Sequence, residues 1–197
     1  QVLIDENRRK GADGLWFAFP RSLDRYERIV TDTEDGAQKS VFWPAIPILL
    51  DVLLNMGARK GMTQWMDSGE ADEFWVNIET NTEVRNPLPI ATKERRMGFL
   101  RIVQIDGSER VLGSYFPINK SGPYEIPWVD PITAQLVIIM RDWQLRYFPR
   151  KKAILAVRCP LIKEYGAQGL LVEVWPLFRD PNSKGKAYPP TDQTIVR

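Results

Sequence analysis

DPITAQLVIIMRDWQLRYFP, Asp130 to Pro149, decides how the chain folds. Asp130 is placed to cap free backbone N–H groups with its carboxylate. Pro131 follows at the first helical position, where its missing N–H costs nothing. The span has no glycine, and Pro149 closes it because a proline restricts the residue before it. Leu136, Val137, Ile138, Ile139 and Met140 form an unbroken apolar run longer than one helical turn. A helix apolar all round is buried on more than one side. Arg141 and Asp142 follow too soon for a membrane span, which needs roughly 20 apolar residues. One side can pack on the chain's own strands. The other is covered either by the same chain or by another subunit, and we expect another subunit.

The 197 residues suit one domain, assigned to 1–178, with a polar, turn-rich tail at 179–197. Net charge is only +2, so attraction to a polyanion has to come from local clustering of the 27 basic residues. The chain has no histidine, which removes the usual general base, neutral metal ligand and pH switch. Its single cysteine, Cys159, precludes an intramolecular disulfide and argues against a cysteine zinc site. Any targeting peptide lies outside this sequence, which begins at Gln1.

The rest of the chain reads as strands, an apolar helix, strands, then the central helix. Short strands are expected at Gln1–Asp5 and Leu15–Phe19, with two more up to Trp43. Ala45–Met56 is the first helix, with Pro47 in its first turn and Gly57 at its C-terminal cap. Met62–Met66 and Phe74–Val84 read as strands. Phe99–Ile105 and Arg110–Ile118 form a hairpin through IDGS, because Asp-Gly tolerates the positive φ of a tight turn. Tyr124–Val129 leads into the central helix. Ala153–Arg158 and Leu170–Phe178 read as a last pair of strands. The fold class is therefore α+β.

Nothing in the sequence positively suggests an enzyme. There is no P-loop, GxGxxG or GxSxG pattern. Glu70, Asp72 and Glu73 are close enough to hold a cation, but GEADE reads better as a solvated acidic turn. No cofactor and no metal is expected. The basic residues are better placed. Lys93, Arg95, Arg96 and Arg101 approach one strand, Arg8, Arg9 and Lys10 form a group, and Arg146 to Lys163 carries six cations and no acid. Interleaved with Trp16, Trp75 and Tyr115, such cations suit single-stranded nucleic acid, with phosphates on the cations and bases stacked on the rings. Solvated faces and helix-terminal cations are the competing account.

KSVFWPAIPILLDVLLNMGARKGMTQWMD (39–67) and MGFLRIVQIDGSERVLGSYFPINKSGPYEIPWVDPITAQLVIIMRDWQLRYFP (97–149) resemble the Whirly fold of single-stranded nucleic-acid-binding proteins. The likeness is to the kinetoplastid mitochondrial RNA-binding proteins that bind guide RNA. Lys39, Val41, Phe42, Gly57, Ala58, Ile126 and Pro127 stand where that pattern places them. The Lys-Gly-Lys-Ala motif of Whirly proteins is absent from the early strands and occurs only at 184–187. The resemblance implies two antiparallel four-stranded sheets, roughly perpendicular, each followed by an apolar helix. It implies a tetramer, of this chain alone or with a paralogue, in the mitochondrion, promoting annealing of guide RNA to pre-mRNA in RNA editing. Annealing requires phosphate contacts that leave base edges free. The expected contacts are Arg8, Arg9, Lys10, Lys39, Arg85, Lys93, Arg95, Arg96, Arg101, Arg110 and Lys120. The alternative is a non-enzymatic structural or assembly subunit of an oligomeric complex, and a carboxylate-based hydrolase comes third.

Overall fold

The computed structural model describes residues 27–107, 109–119, 122–158 and 170–181, with backbone alone at 155–158 and 170–171. In chain order they form β1 (Glu27–Thr31), β2 (Gln38–Phe42), α1 (Ala45–Asn55), α2 (Lys60–Gln64), β3 (Phe74–Asn77) and β4 (Thr82–Arg85). These are followed by β5 (Leu100–Ile105), β6 (Glu109–Phe116), β7 (Tyr124–Ile126), α3 (Pro131–Tyr147), β8 (Ile154–Arg158) and β9 (Leu170–Val174). The class is α+β. All strand pairs are antiparallel and join chain neighbours: β1–β2, β3–β4, β5–β6–β7 and β8–β9. Among the described residues the widest sheet has three strands. The strands expected at Gln1–Asp5 and Leu15–Phe19 lie outside the described residues.

The central helix starts as its sequence requires. The Asp130 carboxylate accepts from the Thr133 N–H at 2.8 Å, and Pro131 is the first helical residue. Thr133, Ala134, Val137, Met140 and Gln144 are buried, a helical spacing that marks one face. Ile132 and Ile139 lie on the opposite side and are exposed, 63% and 39%. Among the described residues, the apolar run is therefore covered on one face only.

α1 and α3 pack antiparallel. At one end, the Thr133 hydroxyl donates to Asp51 at 2.6 Å. At the other, the Trp143 indole N–H donates to the Phe42 carbonyl at 2.9 Å. Ile48, Leu49 and Val52 of α1 face the core with Trp43, Met66, Phe99, Phe116, Val137, Met140, Leu177 and Phe178. Phe99 meets Phe116 edge-on at 5.4 Å, and Phe116 stacks on Tyr124 at 5.3 Å. Helix α1 leaves Leu50 and Leu54 outward. Gly57, at φ 58°, ends it as expected.

Four expectations change. Met62–Met66 is not a strand. The Arg59 carbonyl accepts from the N–H groups of Met62 and Thr63, and the short helix α2 puts both side chains in the core. Five residues are too few to separate a period of two from one of 3.6. Phe74–Val84 is not one strand but the β3–β4 hairpin. The Asn77 side chain accepts from the N–H groups of Glu79 and Thr80, and Asn81 takes φ 52°, a turn that the alternation concealed. The GEADE turn is not solvated, because Glu70, Ala71 and Asp72 are buried. Finally, Arg179 is fully buried, so the packed chain runs on past Phe178.

Candidate nucleic-acid interface

The predicted phosphate contacts divide sharply. Arg8, Arg9, Lys10 and Lys120 lie outside the described residues, as does Trp16. All seven others stand within 4 Å of a carboxylate. Lys39 meets Asp32 and Asp35, Arg85 meets Glu73, Lys93 meets Glu94, and both Arg96 and Arg110 meet Glu83. Arg101 pairs with Glu125 and lies 3.6 Å over the Tyr115 ring. Arg95 pairs with Asp67 and Asp72. Arg85, Lys93, Arg96 and Arg110 remain largely exposed, and such surface pairs hold weakly enough for a phosphate to replace the carboxylate. Arg95 and Arg101 are mostly covered and turned inward. Trp75 is likewise faced by Arg141 at 4.0 Å, so neither Trp75 nor Tyr115 offers this face of its ring to a base.

The acidic turn explains where Arg95 goes. Asp67 is buried, accepts from the Trp175 N–H at 2.9 Å and from the Gly69 N–H at 2.8 Å, and faces the Arg95 guanidinium. Burial pushes the Asp67 carboxyl above its ordinary range, and Arg95 opposes that shift. Asp72 accepts from the N–H groups of Met97 and Gly98. Glu70 takes both guanidinium nitrogens of Arg179, at 2.6 and 2.8 Å, while the Arg179 Nε donates to Gln144. These carboxylates fasten residues 67–72 to the 95–98 segment and to Trp175 and Arg179. They are structural, and among the described residues no group of three or more His, Cys, Asp or Glu is arranged to hold a metal.

A second ionic group ties the β1–β2 turn to the end of α3. The Asp32 carboxylate accepts from Arg146 at 2.8 Å and from Lys39 at 2.7 Å. Hydrogen bonds from Arg146, then from Lys39, hold its carboxyl well below the usual range. Lys39 is thereby held above its own usual value by Asp32 and Asp35.

One arginine behaves differently. Arg59 follows Ala58 in the connection from α1 to α2. It is exposed, and its side chain has no hydrogen bond or ion pair among the described residues. It lies close enough to Tyr124 of β7 to oppose the rise that burial imposes on that phenol. The Tyr124 hydroxyl points to the Met62 sulfur at 3.9 Å. A guanidinium with no carboxylate, beside a protonated phenol, is suited to one phosphate group, which it can grip with two parallel N–H donors. Arg59 was not among the expected contacts. The signal was there: between Asp51 and Asp67 the chain carries Arg59 and Lys60 and no acid.

The family described as Putative integrase matches residues 20–154, more than half of the chain. This chain belongs to that integrase family. The matched span contains the α1–α2 connection with Arg59, the three-stranded sheet and all of α3. No curated protein and no solved structure matches the sequence.

Proposed function

We propose that this chain is a polynucleotide-holding unit that grips backbone phosphates, with DNA as the first substrate class. The carrying observation is Arg59, an exposed guanidinium left without a carboxylate in a chain of an integrase family. An integrase, by the meaning of the word, joins one polynucleotide into another, and any such protein has to hold a phosphodiester backbone. Arg85, Lys93, Arg96 and Arg110 are accessible auxiliaries, each of which exchanges a weak surface pair for a phosphate. Recognition through phosphates gives low sequence preference and steep salt dependence.

A second reading is favoured by the same residue. Strand transfer needs positive charge fixed at the phosphate where negative charge develops. An unpaired Arg59 is better suited to that than a cation already neutralised by glutamate. In this reading the chain takes part in the chemistry as well as the holding.

Titration of the full chain with a labelled 20-base-pair DNA duplex, single-stranded DNA and single-stranded RNA, at two salt concentrations, tests both. Salt-sensitive binding to the duplex is the expected result. Arg59→Ala should reduce the slope of log affinity against log salt by about 0.9. Absence of salt-dependent binding to all three probes overturns the proposal. Strong preference for RNA, with faster annealing of complementary strands, would instead support the Whirly-like guide-RNA reading and its tetramer. Loss of strand cleavage in Arg59→Lys, with binding retained, would carry the second reading.

A further inference from the structure

Beyond Arg59, the described residues hold one other run of cations without carboxylate partners: Arg150, Lys151 and Lys152. Lys151 and Lys152 are exposed in the bend after Pro149. The Arg150 Nε donates to the Lys152 carbonyl at 3.1 Å, which folds the three residues together. Burial, then the like charge of Arg179, lowers the Arg150 guanidinium from its ordinary value. Glu70, the carboxylate whose charge acts on Arg150, is already engaged by both guanidinium nitrogens of Arg179.

A helix C-terminus attracts cations, and that is the plain alternative. The field of a helix falls off within its last turn. Arg146 occupies that turn in α3, and the Phe148 N–H closes on the Gln144 carbonyl. Lys151 and Lys152 lie beyond Pro149 and add nothing to helix capping. Like charges held side by side without counter-ions cost free energy unless a polyanion arrives.

We infer that Arg150, Lys151 and Lys152 form a second backbone-phosphate contact, so that one DNA duplex is held at both ends of α3. This rests on the nucleic-acid reading above and extends it. Arg59 stands beside Tyr124 in β7 and follows α1, whose C-terminal part meets the start of α3 through Asp51 and Thr133, and the new group follows where α3 ends. The 17 residues of α3 span about 26 Å. At roughly 3.4 Å between successive phosphates of a strand, that distance is about eight base pairs of duplex. Two contacts on one duplex release counter-ions additively, so length and salt dependence report them separately.

The test uses the full chain with duplexes of about 6 and 14 base pairs, on either side of that span. The double variant Lys151→Ala with Lys152→Ala alters only exposed side chains. It should lower the salt slope for the longer duplex by about 1.8 while leaving binding of the shorter one, held at Arg59, unchanged. An unaltered slope on the longer duplex overturns the inference while the function proposed above stands. Equal loss on both duplexes also overturns it, because the lysines would then belong to the Arg59 contact. If the unmodified chain binds neither duplex, the nucleic-acid reading itself fails.

Discussion

Arg95 and Arg96 are adjacent in the chain and opposite in role. The guanidinium of Arg95 lies between Asp67 and Asp72 and 4.9 Å from the Trp175 ring, with little exposure. That of Arg96 is half exposed and, among the described residues, meets Glu83 alone. Removing one partner of a covered pair strands the other charge, whereas an exposed pair contributes little. Arg95→Ala should therefore cost about 3–5 kcal/mol in urea denaturation, and Arg96→Ala under about 0.5 kcal/mol. Glu70→Gln is expected to behave like Arg95→Ala, since Arg179 would be left buried with its charge. The exposed Arg59 should move binding without moving stability. A drop in the unfolding midpoint of Arg59→Ala would mean that its side chain has a structural partner.

Among the elements, α3 is the one whose start can be tested most directly. Asp130→Ala removes the acceptor for the Thr133 N–H and should cost about 1 kcal/mol, read from the unfolding midpoint. A close backbone approach lies elsewhere. A Cβ on Gly98 would stand 2.8 Å from the Gly69 Cα and 2.9 Å from an Asp72 carboxylate oxygen. Gly98→Ala therefore has to push the 67–72 turn away from its hydrogen bonds. Reduced solubility and a lowered midpoint are expected, and a variant as stable as the parent would show that this turn yields freely. The β5–β6 turn is less constrained in space. Asp106 and Gly107 have φ 47° and 80°, both in the left-handed region that a tight hairpin turn uses, and nothing lies within 4 Å of a Cβ on Gly107.

For the molecule as a whole, the ionic ties set its response to acid. The Asp32 carboxyl is held low in the folded chain, whereas an unfolded aspartate titrates near about 3.9. A lowered folded value means that the stabilisation is fully present above the unfolded value and lost as pH falls toward the folded one. Thermal unfolding followed from pH 5 downward should show the midpoint falling below about pH 4, with a shallower fall in Asp32→Asn. An identical pH profile for the two proteins would show that Asp32 is not the group responsible. The Arg146 and Lys39 partners join β2 and the end of α3 through this one carboxylate, so its protonation loosens two elements together. No helix among the described residues is long and apolar enough to cross a membrane.

What the sequence determined by itself was everything governed by near neighbours. Asp130-Pro131 starts α3, Gly57 ends α1, Asp106-Gly107 turns β5 into β6, and two apolar helices stand among short strands. Capping and turn chemistry act over a few residues, so the residue order carries them. Only the tertiary structure decided which charges are available. Arg95 meets Asp67 from 28 positions away, and Arg179 meets Glu70 from 109 away. No local pattern signals such pairs, because a buried ion is placed by the partner that compensates it. Among the described residues, the same packing left Arg59 and Arg150–Lys152 without carboxylate partners, which is why the proposed phosphate contacts fall there.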